Sequence, residues 1–174
     1  NIKNGAHMKT FENHDGDVSS LYYWGDKTIL ISASWDRKVR LSDDSTSKPE
    51  GTTRYNMDKH KDAVNFIDFK SSNTLWASCS DDETVIIYNY GSYRQECCLG
   101  PHNQEVKIWK FLNPFNILVS ADLEGLIYFW GIIPSITKTR LICRVKDDIE
   151  SEVGTIENFP IRAMDFDQTN KILY

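Results

Sequence analysis

The sequence predicts an all-β fold built from a repeated unit of four antiparallel strands. Three observations carry that expectation: a set of positions recurs along the chain, short runs alternate large apolar residues, and tight-turn signals separate the runs. At 174 residues the chain is long enough for one domain with a substantial core.

The repeat is anchored on His14, His60 and His102, at intervals of 46 and 42 residues. Four positions on stand Val18, Val64 and Val106. Offset seven holds Leu21, Ile67 or Trp109, and offset nine holds Tyr23, Phe69 or Phe111. Ser32, Ser78 and Ser120 follow at eighteen, and the acids Asp36, Asp82 and Glu124 at twenty-two. Val39, Val85 and Ile127 come at twenty-five, Leu41, Ile87 and Phe129 at twenty-seven, and Ser42, Tyr88 and Trp130 at twenty-eight. A fourth copy begins at Ile161, with Met164 and Phe166 in register and Glu157 at the histidine position.

Each element follows from these offsets. Side chains alternate across a strand, so offsets seven and nine share one face of a first strand. Val39 with Leu41, Val85 with Ile87, and Ile127 with Phe129 do the same in a third strand. Ile86, Tyr88, Tyr128 and Trp130 make the opposite face bulky too, as a sheet sandwiched between two others requires. Residues 35–38, 81–83 and 123–125 read as hairpin turns between second and third strands. A period near ~40–45 residues with four strands per unit is that of a β-propeller blade.

Composition narrows the functions. The chain carries 20 basic and 25 acidic residues, a net charge of −5, and no positive stripe of the kind that neutralises phosphates, so no nucleic-acid partner is expected. No apolar run approaches the ~20 residues that cross a bilayer, and no membrane partner is expected. Cys79, Cys97, Cys98 and Cys143 contain no CxxC pair; they read as reduced thiols, Cys79 and one of the adjacent two as small buried residues, in an intracellular, cytoplasmic setting.

The stretches Asn13-His14, Lys59-His60 and Pro101-His102, followed by Ser42-Asp43, Tyr88-Asn89 and Trp130-Gly131, resemble the WD-repeat family, whose blades open near Gly-His and close the third strand with Trp-Asp. The resemblance covers nearly the whole chain and implies a partial propeller. It also implies a hydrogen-bonded network in each blade: His60, Ser78 or Ser80, Asp82 and Tyr88 in the second; His102, Ser120, Glu124 and Trp130 in the third; His14, Ser32 or Ser34 and Asp36 in the first, left incomplete by Ser42. Restoring Trp at Ser42 should then stabilise that blade or leave it unharmed. Three Ser-His-acid sets in one domain suit blade staples rather than a triad, and no Gly-x-Ser-x-Gly elbow occurs. Residues 13–17 have the flavour of a calcium loop but lack its closing Glu, so neither metal nor cofactor is expected.

The expected organisation is a last strand of a preceding blade in residues 1–13, with Met8–Phe11 as the strand. Blades follow over 14–59, 60–101 and 102–156, and the first two strands of another over 157–174. Residues that a blade does not need should line one mouth of the propeller: Asp15, Asp17, Trp35, Lys61, Asp62, Asp81, Asn103, Glu105 and Leu123. Trp35 reads either as an interface anchor or as packed on a neighbouring turn. The third blade carries an acidic insertion with Asp147, Asp148 and Glu150, a solvated loop or a binding one.

The resulting expectation is a non-catalytic scaffold within a larger chain or complex, binding several proteins and favouring basic segments. The alternative is the propeller domain of a larger enzyme whose catalytic residues lie elsewhere; a free acid in the mouth would favour it. Residues 160–166 and 34–37 are also similar in wording to cilia- and flagella-associated WD-repeat proteins, which implies an axonemal assembly.

Overall fold

The structure is a computed structural model that describes residues 4, 7, 9–45, 52–70, 75–112, 115–132, 139–146, 161–167, 169–170 and 172–173. Three four-stranded antiparallel sheets follow one another, each a meander in chain order. The first contains β1 (Val18–Trp24), β2 (Ile29–Ser34), β3 (Val39–Asp43) and β4 (Thr52–Met57). The second contains β5 (Val64–Phe69), β6 (Leu75–Ser80), β7 (Val85–Asn89) and β8 (Arg94–Leu99). The third contains β9 (Val106–Leu112), β10 (Ile117–Asp122), β11 (Leu126–Ile132) and β12 (Thr139–Lys146). A two-stranded pair, β13 (Phe166–Asp167) and β14 (Ile172–Leu173), comes last. Among the described residues no helix is long and apolar enough to cross a membrane.

Irregularities repeat with the sequence. Val18 pairs with Ser34, Val64 with Ser80 and Val106 with Asp122, and the register then slips, which leaves Ser19, Asn65 and Lys107 as bulged residues. The hairpin turns place Arg37, Glu83 and Gly125 at φ 71°, 66° and 77°. Only the third uses the residue that tolerates this conformation without a Cβ penalty.

The core lies between sheets. Ile29, Ile31, Val39 and Leu41 of the first sheet meet Trp76, Ile86 and Tyr88 of the second. The other face of the second sheet, with Ala77, Cys79, Val85 and Ile87, packs on Trp109, Phe111, Leu118, Tyr128 and Trp130 of the third. The second sheet is therefore buried on both faces, which is why both of its alternating sets are bulky. Removing the fully buried Trp76 side chain would cost about 3–5 kcal/mol.

The outer face of the first sheet differs. At the positions of Ile86 and Tyr88 it carries Arg40 and Ser42, while Leu21 and Tyr23 on β1 are exposed. Of the stretch Met8–Phe11, the described residues 9–11 carry no ladder pairing within this chain; Lys9 pairs with Asp44 at 3.3 Å and donates to the Ser45 carbonyl. The acidic insertion with Asp147, Asp148 and Glu150 lies outside the described residues.

Candidate functional site: blade staples and the hairpin mouth

In the first two sheets the histidine bridges the second strand and the hairpin. His60 Nδ1 donates to Asp82 Oδ2 at 2.9 Å, and Ser78 Oγ donates to His60 Nε2 at 2.7 Å. His14 makes the same pair, with Asp36 at 2.9 Å and Ser32 at 2.8 Å. The choice between serines is thus settled by position along the strand. Ser32 and Ser78 face the histidine, while Ser34 and Ser80 accept the backbone N–H of Asp36 and Asp82 and close the turn.

Buried carboxyls are ordinarily pushed up, but these hydrogen bonds reverse the direction. Burial raises Asp36, yet the donors His14, Asp15 N–H and Lys38 N–H outweigh it and hold the carboxyl at about 2. Asp82 sits well below the usual carboxylate range: burial opposes, and His60 and Thr84 prevail.

Two expectations need correction and one needs an addition. The first network lacks the strand-three donor, as Ser42 implied, but gains a partner the sequence did not announce: Arg40 Nη1 donates to Asp36 at 3.0 Å, while Asn13 Nδ2 donates to Ser42 Oγ at 2.6 Å. Tyr88 does not join the second network by a hydrogen bond. Its phenol stacks on Trp76 at 4.2 Å, and the hydroxyl, near Ser78, finds no partner in hydrogen-bonding geometry.

The third network does not use Glu124: the Glu83 carbonyl takes the acid's place on His102, while Asp122 holds the hairpin. Trp130 Nε1 donates to Ser120 Oγ at 2.8 Å, Ser120 donates to His102 Nε2 at 2.7 Å, and His102 Nδ1 donates to the Glu83 carbonyl at 2.8 Å. Asp122 takes the Ser34/Ser80 position, accepts the Glu124 and Leu126 N–H groups, and accepts the Tyr128 hydroxyl at 3.1 Å. Glu124 instead reaches Gln104 at the surface. Burial, partly opposed by the Glu83 carbonyl, lowers His102.

Ser78 and Ser120 have no exposed surface and His60 is buried. A nucleophile must meet its substrate, so these sets are built to hold strands together. Among the described residues no group of His, Cys, Asp and Glu could hold a metal ion. Cys79 is fully buried, with its thiol pushed up by desolvation; Cys97 packs on the core, and Cys98 is exposed.

The residues left over gather at the hairpin turns. The N–H of Trp35 bonds to the Asp17 carbonyl at 3.0 Å, Asp81 to Ala63 at 2.9 Å, and Leu123 to Glu105 at 3.0 Å. One backbone bond per sheet thus presents Trp35, Asp81 and Leu123 at equivalent places. Trp35 is 57% exposed, so it does not pack away on a neighbouring turn among the described residues. Asp15, Asp17, Lys61, Asp62 and Asn103 are exposed, and Glu105 is half-buried.

Asp81 is not free: it accepts Asn65 Nδ2 at 2.6 Å and pairs with Lys107. Lys107, missed in the sequence reading, is the bulged residue of β9. Its signal was available as offset five from the histidine, where Ser19, Asn65 and Lys107 recur and Arg162 follows in the fourth copy. A bulge re-aims its side chain. Ser19 Oγ and Asn65 Nδ2 accordingly reach the Val64 and Val106 carbonyls of the next sheet.

Comparison with known proteins agrees with this architecture. Residues 5–43 and 51–89 each match the WD domain, G-beta repeat. The human protein DDB1- and CUL4-associated factor 10 is 31% identical over 116 residues, 66% of this chain and 20% of that protein. The nuclear distribution protein nudF of Aspergillus niger is 28% identical over 127 residues, 71% of this chain and 28% of that protein. The chain therefore spans about a fifth to a quarter of the length of these relatives. The crystal structure of the computationally designed Ika8 protein superposes with a TM-score of 0.70 at 21% identity, covering 92% of this chain and 43% of that one, a likeness of fold alone. Repeat, sheet order and sequence matches together make the chain a member of the WD-repeat β-propeller family.

Proposed function

We propose that the chain is a non-catalytic protein-interaction scaffold that docks partners on the hairpin mouth within a multi-protein assembly. The observation that carries this reading is the repeated backbone bond that displays Trp35, Asp81 and Leu123 at equivalent places on one side. An exposed indole on a rigid turn is a ready interface anchor. Asp15, Asp17 and Asp62 around it favour a partner with a basic segment, acting mainly on association rate and partner choice. The relative named DDB1- and CUL4-associated factor 10 makes DDB1 and CUL4 the first partners to score. Asp81 lends the enzyme-domain alternative no support, because Lys107 and Asn65 engage it. A cytoplasmic setting rests on the cysteine spacing, which holds no CxxC pair, and an axonemal preference only on the wording of residues 34–37 and 160–166.

The test is quantitative co-purification with the full chain, wild type against Trp35→Ala plus Asp62→Lys, both exposed positions. Loss of at least one partner with an unchanged melting midpoint is expected. An unchanged partner list would remove the mouth from the function.

A further inference from the structure

A cavity of about 270 Å³ opens at the mouth, lined among the described residues by Lys107, Leu123 and Arg162. Small-molecule sites run to roughly 300–1,000 Å³, so this space suits one or two side chains of a peptide rather than a whole small ligand. Two of its three lining groups are cations, in a region where the turn residues alone suggest an acidic surface.

The positions are equivalent by register. Lys107 is the bulged residue of β9, and Arg162 holds the same offset in the fourth copy, one residue after Ile161. Ser19 and Asn65, the counterparts in the first two sheets, spend their side chains on the neighbouring sheet's backbone. Lys107 pairs with Asp81. The exposed Arg162 makes no ion pair or hydrogen bond among the described residues. Among the described residues the two lining cations and the Asp81 carboxylate on Lys107 leave a balance of +1 beside an apolar wall.

We infer that the cavity formed by Lys107, Leu123 and Arg162 receives an acidic-hydrophobic peptide segment, with a Glu or Asp carboxylate on Arg162 and an apolar side chain on Leu123. A balance of +1 matches a single carboxylate. A phosphate carries about −1.5 to −2 and calls for a larger cluster of cations. A guanidinium presents paired donors that fit a carboxylate in two-pronged fashion. The inference rests on the scaffold reading and adds a second, oppositely charged contact to the same mouth.

The probe is a fluorescein-labelled peptide, Gly-Ser-Glu-Leu-Glu-Leu-Glu-Ser-Gly, titrated with the full chain by fluorescence anisotropy. Counterparts carry Gln, Lys or phosphoserine in place of Glu. The Glu peptide should bind best, and Arg162→Ala should weaken it about tenfold, the usual size of a lost charge-assisted contact. Asp81→Asn should tighten it, because Lys107 is then released to the ligand; a gain of this kind does not arise from misfolding. Equal binding of the Gln peptide, tighter binding of the Lys or phosphoserine peptide, no binding of any peptide, or indifference to Arg162→Ala would each overturn the inference. If Trp35→Ala with Asp62→Lys strips partners while Arg162→Ala changes nothing, the scaffold reading stands and the cavity proposal falls.

Discussion

Replacing Ser120 by Ala should be among the costliest single-atom deletions in the described chain. The Ser120 hydroxyl has no exposed surface and stands between two groups that are themselves buried, accepting from Trp130 Nε1 at 2.8 Å and donating to His102 Nε2 at 2.7 Å. Deleting it leaves an indole N–H and an imidazole nitrogen without partners, each worth about 1–3 kcal/mol when buried and unsatisfied, so roughly 2–6 kcal/mol in all. Ser78→Ala is the internal control, because Ser78 bonds His60 while the Tyr88 hydroxyl already lacks a partner. It should cost about half as much. Urea denaturation of the full chain gives both values, and a loss of 2 kcal/mol lowers the melting midpoint by about 4–8 °C at this size. A double-mutant cycle sharpens the test: Trp130→Phe removes the orphaned N–H, so it should cost less by about 0.5–3 kcal/mol in the Ser120→Ala background than in the wild type. Additive losses, or a Ser120→Ala no costlier than Ser78→Ala, would refute the assignment of Ser120 as the shared junction.

Other outcomes follow from the same geometry. The folded-state carboxyls of Asp36 and Asp82 lie below their ordinary 3.8, so their stabilising contribution is full above about pH 4 and is lost as pH falls, through about 2 for Asp36 and further down for Asp82. Melting followed from pH 5 to pH 2 should show that loss, and Asp36→Asn should flatten part of it; an unchanged slope would contradict the network. Glu83 is exposed and sits at φ 66°, so Glu83→Gly should raise stability by up to about 1 kcal/mol in urea melts, and a clear decrease would mean that its side chain has work to do. Ser42→Trp, expected from the repeat alone to stabilise the first blade or leave it unharmed, should instead cost about 1–3 kcal/mol. Ser42 is only 1% exposed, Asn13 is bonded to it, and an indole there is overpacking. A rise in the melting midpoint would show that Asn13 and Arg40 move aside.

Much of the fold was legible because β-structure writes its periods into the chain. Alternation fixed which of Val39, Leu41, Val85 and Ile87 face a neighbouring sheet, and the offsets of His, Ser and acid placed the turns of the first two sheets. Offset eighteen also pointed correctly to Ser32, Ser78 and Ser120, since those residues and the histidine repeat as a pair. Three features needed the third dimension. Asp122 rather than Glu124 serves the last hairpin, because a carboxylate two residues earlier already meets the turn's N–H groups and the Tyr128 hydroxyl. Arg40 joins the first network at a repeat position that holds Ile86 and Tyr128 in the other sheets, so the repeat pattern gives no hint of its bond to Asp36. Lys107 and Arg162 share an offset in the sequence, but a bulge is a property of two paired strands. Only the slip of Val106 and Ile108 against Asp122 and Ala121 turns Lys107 towards Asp81 and the mouth. Local periodicity determines which face a residue occupies; which group it meets there depends on the strand or sheet that arrives from elsewhere in the chain.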